Sequence, residues 1–307
     1  MDDTRHIDGK YIDDKTGIET TGHSWDGIRE LNNPLPRWWL WTFYATILWA
    51  VGYTVMYPAW PMLTGATTGY LGYSSRAELR SELAQTQQAR SGLVEAIRNE
   101  NVAQILANPE LKQFAVSAGA AAFKVNCIQC HGSGAQGGVG YPNLNDDDWL
   151  WGGDIASIYT TINHGIRYMA DDETRQSEMP SFDGVLTPDQ MGEVAAYVVS
   201  LSGTPESPDK VAAGAALFAQ NCASCHGSDA KAAKGVDAEA VKDMGAPDLA
   251  DAIWLYGSGE KAIVQQMTHP RNSVMPAWGA RLGDVTVKEL AVFVYSLGGG
   301  QTVLAGQ

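Results

Sequence analysis

The chain has 307 residues, enough for about two domains, and its 35 Asp and Glu against 21 Lys and Arg give a net charge of −14. That balance excludes nucleic acid as a partner and points to basic ones. A hydrophobic content of 45% supports packed cores, and the 33 glycines and 10 tryptophans fit loop-rich modules around a large flat group.

Residues 1–36 are polar and charged, with no apolar stretch of the kind a cleavable signal peptide carries, and are expected to be mostly irregular. Trp38 to Tyr57 is a run of 20 residues without a charge, about 30 Å as a helix, which predicts a transmembrane anchor over 37–60. Trp38, Trp39 and Trp41 at one end and Tyr53, Tyr57 and Trp60 at the other form aromatic belts, which a buried core helix would not need. Pro58 and Pro61 end the helix. Arg5, Lys10, Lys15, Arg29 and Arg37 precede the run, and no Lys or Arg follows until Arg76. The positive-inside rule therefore puts the N-terminus in the cytoplasm and everything after the span outside. Residues 61–112 are predicted to be a polar helical linker, with Ser75 as N-cap.

From residue 113 the chain repeats itself. Cys127-Ile128-Gln129-Cys130-His131 is matched by Cys222-Ala223-Ser224-Cys225-His226, and these four are all the cysteines present. C-x-x-C-H is the attachment motif for c-type haem: two thiols on one turn form thioethers with the porphyrin, and the adjacent His supplies the proximal nitrogen. A redox C-x-x-C pair would not need the His, and a zinc site would combine the four thiols or add a clustered His pair. Two covalently bound c-type haems are therefore predicted, on Cys127 and Cys130 and on Cys222 and Cys225, with His131 and His226 on the iron.

The repetition extends well beyond the motif. Residues 118–123 match 213–218, Pro142-Asn143-Leu144 matches Pro247-Asp248-Leu249, and Trp149-Leu150-Trp151 matches Trp254-Leu255-Tyr256. His164 matches His269, Met179-Pro180 matches Met275-Pro276, and Met191–Leu201 matches Val287–Leu297. Thr204 to Pro208 reads as the joint between repeats, giving domains at 113–204 and 205–307. In each, a first helix delivers the cysteines and crosses an amphipathic last helix, with Gly119 or Gly214 permitting close approach. This arrangement resembles class I cytochrome c, so the expected fold is all-α: one N-terminal transmembrane helix followed by two class I cytochrome c-like domains.

The second axial position has two aligned candidates per repeat, His164 or Met179 and His269 or Met275. Paired Met-Pro sequences in matching loops favour Met179 and Met275, because proline stiffens the loop that presents the sulfur. His164 and His269 are expected to be structural or to face a haem propionate. Whether each Met caps its own repeat's haem or the other's is open.

At the entry to the span stands His23-Ser24-Trp25-Asp26-Gly27-Ile28-Arg29-Glu30, then Asn33-Pro34-Leu35-Pro36-Arg37-Trp38-Trp39. This signature, with the anchor, the linker and two cytochrome modules, resembles the dihaem subunit III (CcoP or FixP) of cbb3-type cytochrome c oxidase, single-span type. The resemblance implies an electron-transfer subunit with no catalytic residue of its own, in a bacterial inner (cytoplasmic) membrane, with periplasmic haem domains. It also implies partners: a monohaem cytochrome c subunit, a haem–copper O2-reducing catalytic subunit coupled to proton pumping, and a soluble or membrane-bound cytochrome c donor. The alternatives are a freestanding membrane-bound cytochrome c or the haem subunit of a periplasmic dehydrogenase. A dihaem peroxidase would need one repeat to lack its Met, and neither does.

Acidity is uneven: residues 113–210 hold thirteen Asp and Glu against four Lys and Arg, and residues 211–307 hold nine against seven. Asp146-Asp147-Asp148 and Asp171-Asp172-Glu173 lie in the first repeat, which predicts donor docking there.

Overall fold

A computed structural model describes residues 6–7, 10–241 and 244–301, in two compact units divided at Gln88/Ala89. The first unit opens with short antiparallel pairs, β1 (His6–Ile7) with β2 (Lys10–Tyr11) and β3 (Thr20–Trp25) with β4 (Ile28–Leu31). The second pair corrects the expectation of an irregular segment. Asp26 and Gly27 sit at φ 49° and 84°, the left-handed pair of a two-residue hairpin turn, and bring Trp25 opposite Ile28.

Helix α1 (Arg37–Met56) follows Pro36, and none of its residues is buried. Its last carbonyls do not go unpaired: Tyr70 N–H donates to Val55 O and Leu71 N–H to Met56 O. Between helix and return lies a small hairpin, β5 (Pro61–Met62) with β6 (Gly65–Ala66). By mean hydropathy no helix among the described residues is long and apolar enough to cross a membrane. The span expected at 37–60 therefore rests on its charge-free run and flanking aromatics.

Helix α2 (Ser75–Asn99) is capped by Ser74 rather than Ser75, the Ser74 Oγ accepting from Ala77 N–H at 3.4 Å. Only its far end enters a core. Ile97 is buried, and so are Val102 and Ile105 of α3 (Val102–Ala107), which starts in an Asn101/Gln104 capping box. The expected linker, 61–112, thus contributes its last part to the haem-bearing region. Asn108 then caps α4 (Pro109–Asn126), with Pro109 at its first position.

The remaining helices are α5 (Ile128–His131), α6 (Ile155–His164), α7 (Pro188–Ser202), α8 (Val211–Asn221), α9 (Ala223–His226), α10 (Ala238–Val241), α11 (Glu260–Thr268), α12 (Gly279–Leu282) and α13 (Asp284–Tyr295). They pack as two bodies, and the bodies do not follow the order of the repeats. In one, α4 crosses α13, with α6 and α3 alongside; in the other, α8 crosses α7, with α11 alongside. The first helix of each repeat is therefore closed by the last helix of the other.

Both crossings use the same chemistry. A Cβ on Gly119 would strike the backbone of Glu289, and one on Gly214 the backbone of Glu193. Phe123 meets Phe293 at 5.3 Å and 54°, and Phe218 meets Tyr197 at 5.3 Å and 56°. Two cores result: Phe123, Ile155, Ile158, Leu290 and Val292 in one, Phe218, Val194, Val198, Ile263 and Met267 in the other. The borders 113–204 and 205–307 describe the repeats along the chain, whereas the packed bodies exchange their closing thirds. The exchange is made by two segments that cross after α6 and after α11. They pair where Ile166 N–H donates to Met275 O at 2.9 Å and Met275 N–H to Ile166 O at 3.0 Å.

Candidate haem sites

Each motif begins where a first helix ends. Cys127 and Cys222 are the C-caps of α4 and α8, and the single turns α5 and α9 carry the second cysteine and the histidine. Cys127 and Cys222 are half-buried, while Cys130 and Cys225 are exposed. Burial, reinforced by the neighbouring thiol, pushes Cys127 and Cys222 up to about 11. Such thiols stay protonated near neutrality, which disfavours thiolate binding of a metal. Among the described residues no group of three or more His, Cys, Asp or Glu is placed to hold a metal ion.

The histidines are held alike. His131 Nδ1 lies 3.1 Å from Pro142 O, and His226 Nδ1 lies 3.0 Å from Pro247 O. Donation from Nδ1–H to a carbonyl leaves Nε2 as the free lone pair, the tautomer an iron ligand requires. Burial lowers the pKa of both rings, which also favours the neutral form. Behind each His the loop turns at Gly132 (φ 78°) or Gly227 (φ 77°), then at a buried left-handed alanine, Ala135 (φ 59°) or Ala230 (φ 61°). The turn closes when Leu144 N–H reaches Ala135 O and Leu249 N–H reaches Ala230 O, both at 2.8 Å.

The exchange of closing segments decides where the methionines fall. Met275 packs on the core that includes Cys127, Ile128, Trp149 and Tyr159. Met179 packs with Phe218, Cys222 and Trp254, and it lines with Cys222, Cys225 and His226 a cavity of about 540 Å³. That volume is in the range of cofactor pockets. At the second motif apolar walls, paired thiols, a neutral imidazole and a thioether make a donor set that fits haem c. The first motif has the same donor types, with Met275 packed on the core beside Cys127. Met179 thus lines the cavity of the other repeat's C-x-x-C-H, and Met275 packs on the core that the other repeat's Cys127 also borders.

Both ring nitrogens of His164 are engaged by neighbouring side chains. Its Nδ1 lies 3.1 Å from Asp171 Oδ1, and its Nε2 lies 2.8 Å from Asn163 Nδ2 and 3.0 Å from Glu173 Oε2. Asp171 and Glu173 of the acidic run thus reach this ring, although Glu173 is largely exposed. In the other run, Asp148 accepts from Lys234 Nζ at 3.1 Å, and Asp146 lines the second cavity. Asp147 and Asp172 remain exposed. His269 ends α11 as its C-cap.

Arg167 escaped the sequence reading. It lines the second cavity although it belongs to the first repeat, and no motif marks it.

Comparison with known proteins agrees along the chain. Residues 17–64 match the model of the N-terminal domain of cytochrome oxidase-cbb3, FixP; residues 116–202 match cytochrome c; residues 209–294 match cytochrome C oxidase, cbb3-type, subunit III. The chain is 63% identical over 292 residues to the cbb3-type cytochrome c oxidase subunit FixP of Sinorhizobium medicae, covering 95% of this chain and 98% of that one. It is 51% identical over 284 residues to subunit CcoP of Cereibacter sphaeroides, covering 92% and 95%. Against subunit CcoP of an Azospirillum species it is 48% identical over 296 residues, covering 95% and 99%.

Proposed function

The chain belongs to the family of cbb3-type cytochrome c oxidase subunit FixP or CcoP, and from that premise we propose that it is the dihaem electron-transfer subunit of such an oxidase. Two c-type haems serve it, each supplying a one-electron redox centre. Cys127, Cys130 and His131 would hold one, with Met275 as its thioether donor; Cys222, Cys225 and His226 would hold the other, with Met179. The observation that carries the reading is the convergence of both methionines on the opposite motifs, with both histidines presenting Nε2. His/Met ligation leaves no open position for substrate, so the chain relays electrons and O2 chemistry belongs to a partner.

Helix α1 is proposed as the membrane anchor, with residues 1–36 cytoplasmic and the haem region periplasmic. Beyond the aromatic belts, its hydroxyls support this. Thr42, Thr46 and Thr54 donate to Trp38 O, Phe43 O and Val51 O at 3.0, 2.7 and 2.9 Å, so they need no water. Electrons are proposed to arrive from a soluble or membrane-bound cytochrome c and to leave through a monohaem subunit to a haem–copper core. Purification in mild detergent tests the assignment. Copper and b-type haem should accompany this chain, whereas a lone dihaem protein, or one accompanied by a dehydrogenase, would reject it.

A further inference from the structure

We propose that Arg167 is a positioning residue shared by the two haem sites, tying together the loops that carry Met179 and Met275. The inference rests on the ligation proposed above. Arg167 sits at φ 53°, a left-handed conformation that costs a non-glycine residue ~1 kcal/mol or more, and the surrounding bonds hold it there. Its N–H donates to Arg175 O at 2.8 Å. Its side chain reaches two ways: Nε donates to Ser273 O at 2.7 Å, and Nη1 to Ser177 O at 2.9 Å. Ser273 lies two positions before Met275, and Ser177 two before Met179.

The residue beside it, Ile166, is the one paired in both directions with Met275. Ser273 is fixed from its other side, its Oγ 2.6 Å from Tyr256 Oη and 3.2 Å from Gly140 O. One guanidinium fork therefore spans both crossing segments at equal distance from both sulfurs along the chain. A lysine would keep the cation but could not hold two carbonyls in this planar geometry. Because the sulfur–iron bond helps to set a haem's potential, loosening this fork should disturb both centres together.

The test is Arg167→Lys and Arg167→Gln in the full-length protein, read by the far-red sulfur-to-iron band of the oxidised form and by potentiometric titration. We expect partial loss of the band and lower potentials at both haems in both variants. To separate the sites, each variant is combined with Met179→Leu, where the remaining band reports Met275 alone. That remaining band should also weaken. An unchanged band in the Lys variant, or a change confined to the second haem, would overturn the shared role. If Met179→Leu by itself removes none of the band, the ligation scheme fails instead. If neither Arg167 variant accumulates with both haems attached, the residue serves folding and the proposal is overturned.

Discussion

His131 and His226 each have Nδ1 committed to a carbonyl, and on the proposed ligation each methionine serves the other repeat's motif, so substitutions should act across the repeats. With Cys222 and Cys225 replaced by Ala, only the first haem remains attached. In that background Met275→Leu should lower its potential and admit CO, while Met179→Leu should do neither. The reverse result would restore ligation within each repeat. Glu289 makes a second prediction at this scale. It is buried on α13, and desolvation raises its carboxyl from 4.5 to about 7, with Arg90 pulling weakly the other way. The unfolded chain ionises it near 4.5, so between about 4.5 and 7 the folded state binds more protons and stability falls as pH rises. Glu289→Gln should remove that slope and stabilise the protein above pH 7 by on the order of 2–3 kcal/mol. Denaturant titrations of both proteins at several pH values would measure it, and parallel slopes would reject it.

Between elements, the close crossings at Gly119 and Gly214 are the points of least tolerance. Gly214→Val would force α8 from α7 and should cost about 1–3 kcal/mol, seen as a lower unfolding midpoint of the second haem body in particular. Equal stability of the variant would mean the helices part without loss. Much of this level was readable beforehand: the crossing glycines, the paired Met-Pro loops and the two haem motifs all rest on local spacing. The hairpin at Asp26-Gly27 was just as local, but it lay in a polar stretch without the alternating apolar residues that usually announce strands. The exchange of α7 and α13 was not readable. Because the repeats are alike, either closing helix satisfies either core pattern, and contacts such as the pairing of Ile166 with Met275, which distinguish the two topologies, are made by backbone groups. Arg167 stayed hidden for a related reason: its partners, Ser177 O and Ser273 O, are backbone carbonyls that leave no mark in the sequence.

For the molecule as a whole, the exchange means that damage at one end of the chain appears at the other. A chain ending after Thr268 keeps both C-x-x-C-H motifs but loses Met275 and α13, and with them Val287, Leu290 and Val292 of the first core. It keeps every helix of the second body: α7, α8 and α11. The prediction is that this C-terminal deletion ruins the first haem site, while the second, though it loses the Ser273 arm of the Arg167 fork, still holds its haem. Limited proteolysis with haem staining, and CO titration of the reduced protein, would show which site survives; loss of the second alone would refute the topology.

On the proposed topology, the same crossing imposes a timetable on the chain's passage through the membrane. Synthesis runs from the N-terminus, so on the proposed topology Met179 emerges outside before Cys222 and Cys225 do. That centre finds its cap waiting. The first centre has the opposite history: Cys127 and Cys130 emerge early, and Met275 is among the last parts of the fold to arrive. On the proposed ligation, the earlier haem to be attached is the later one to be sealed, and for that interval its iron stands open to whatever gas or thiol surrounds it.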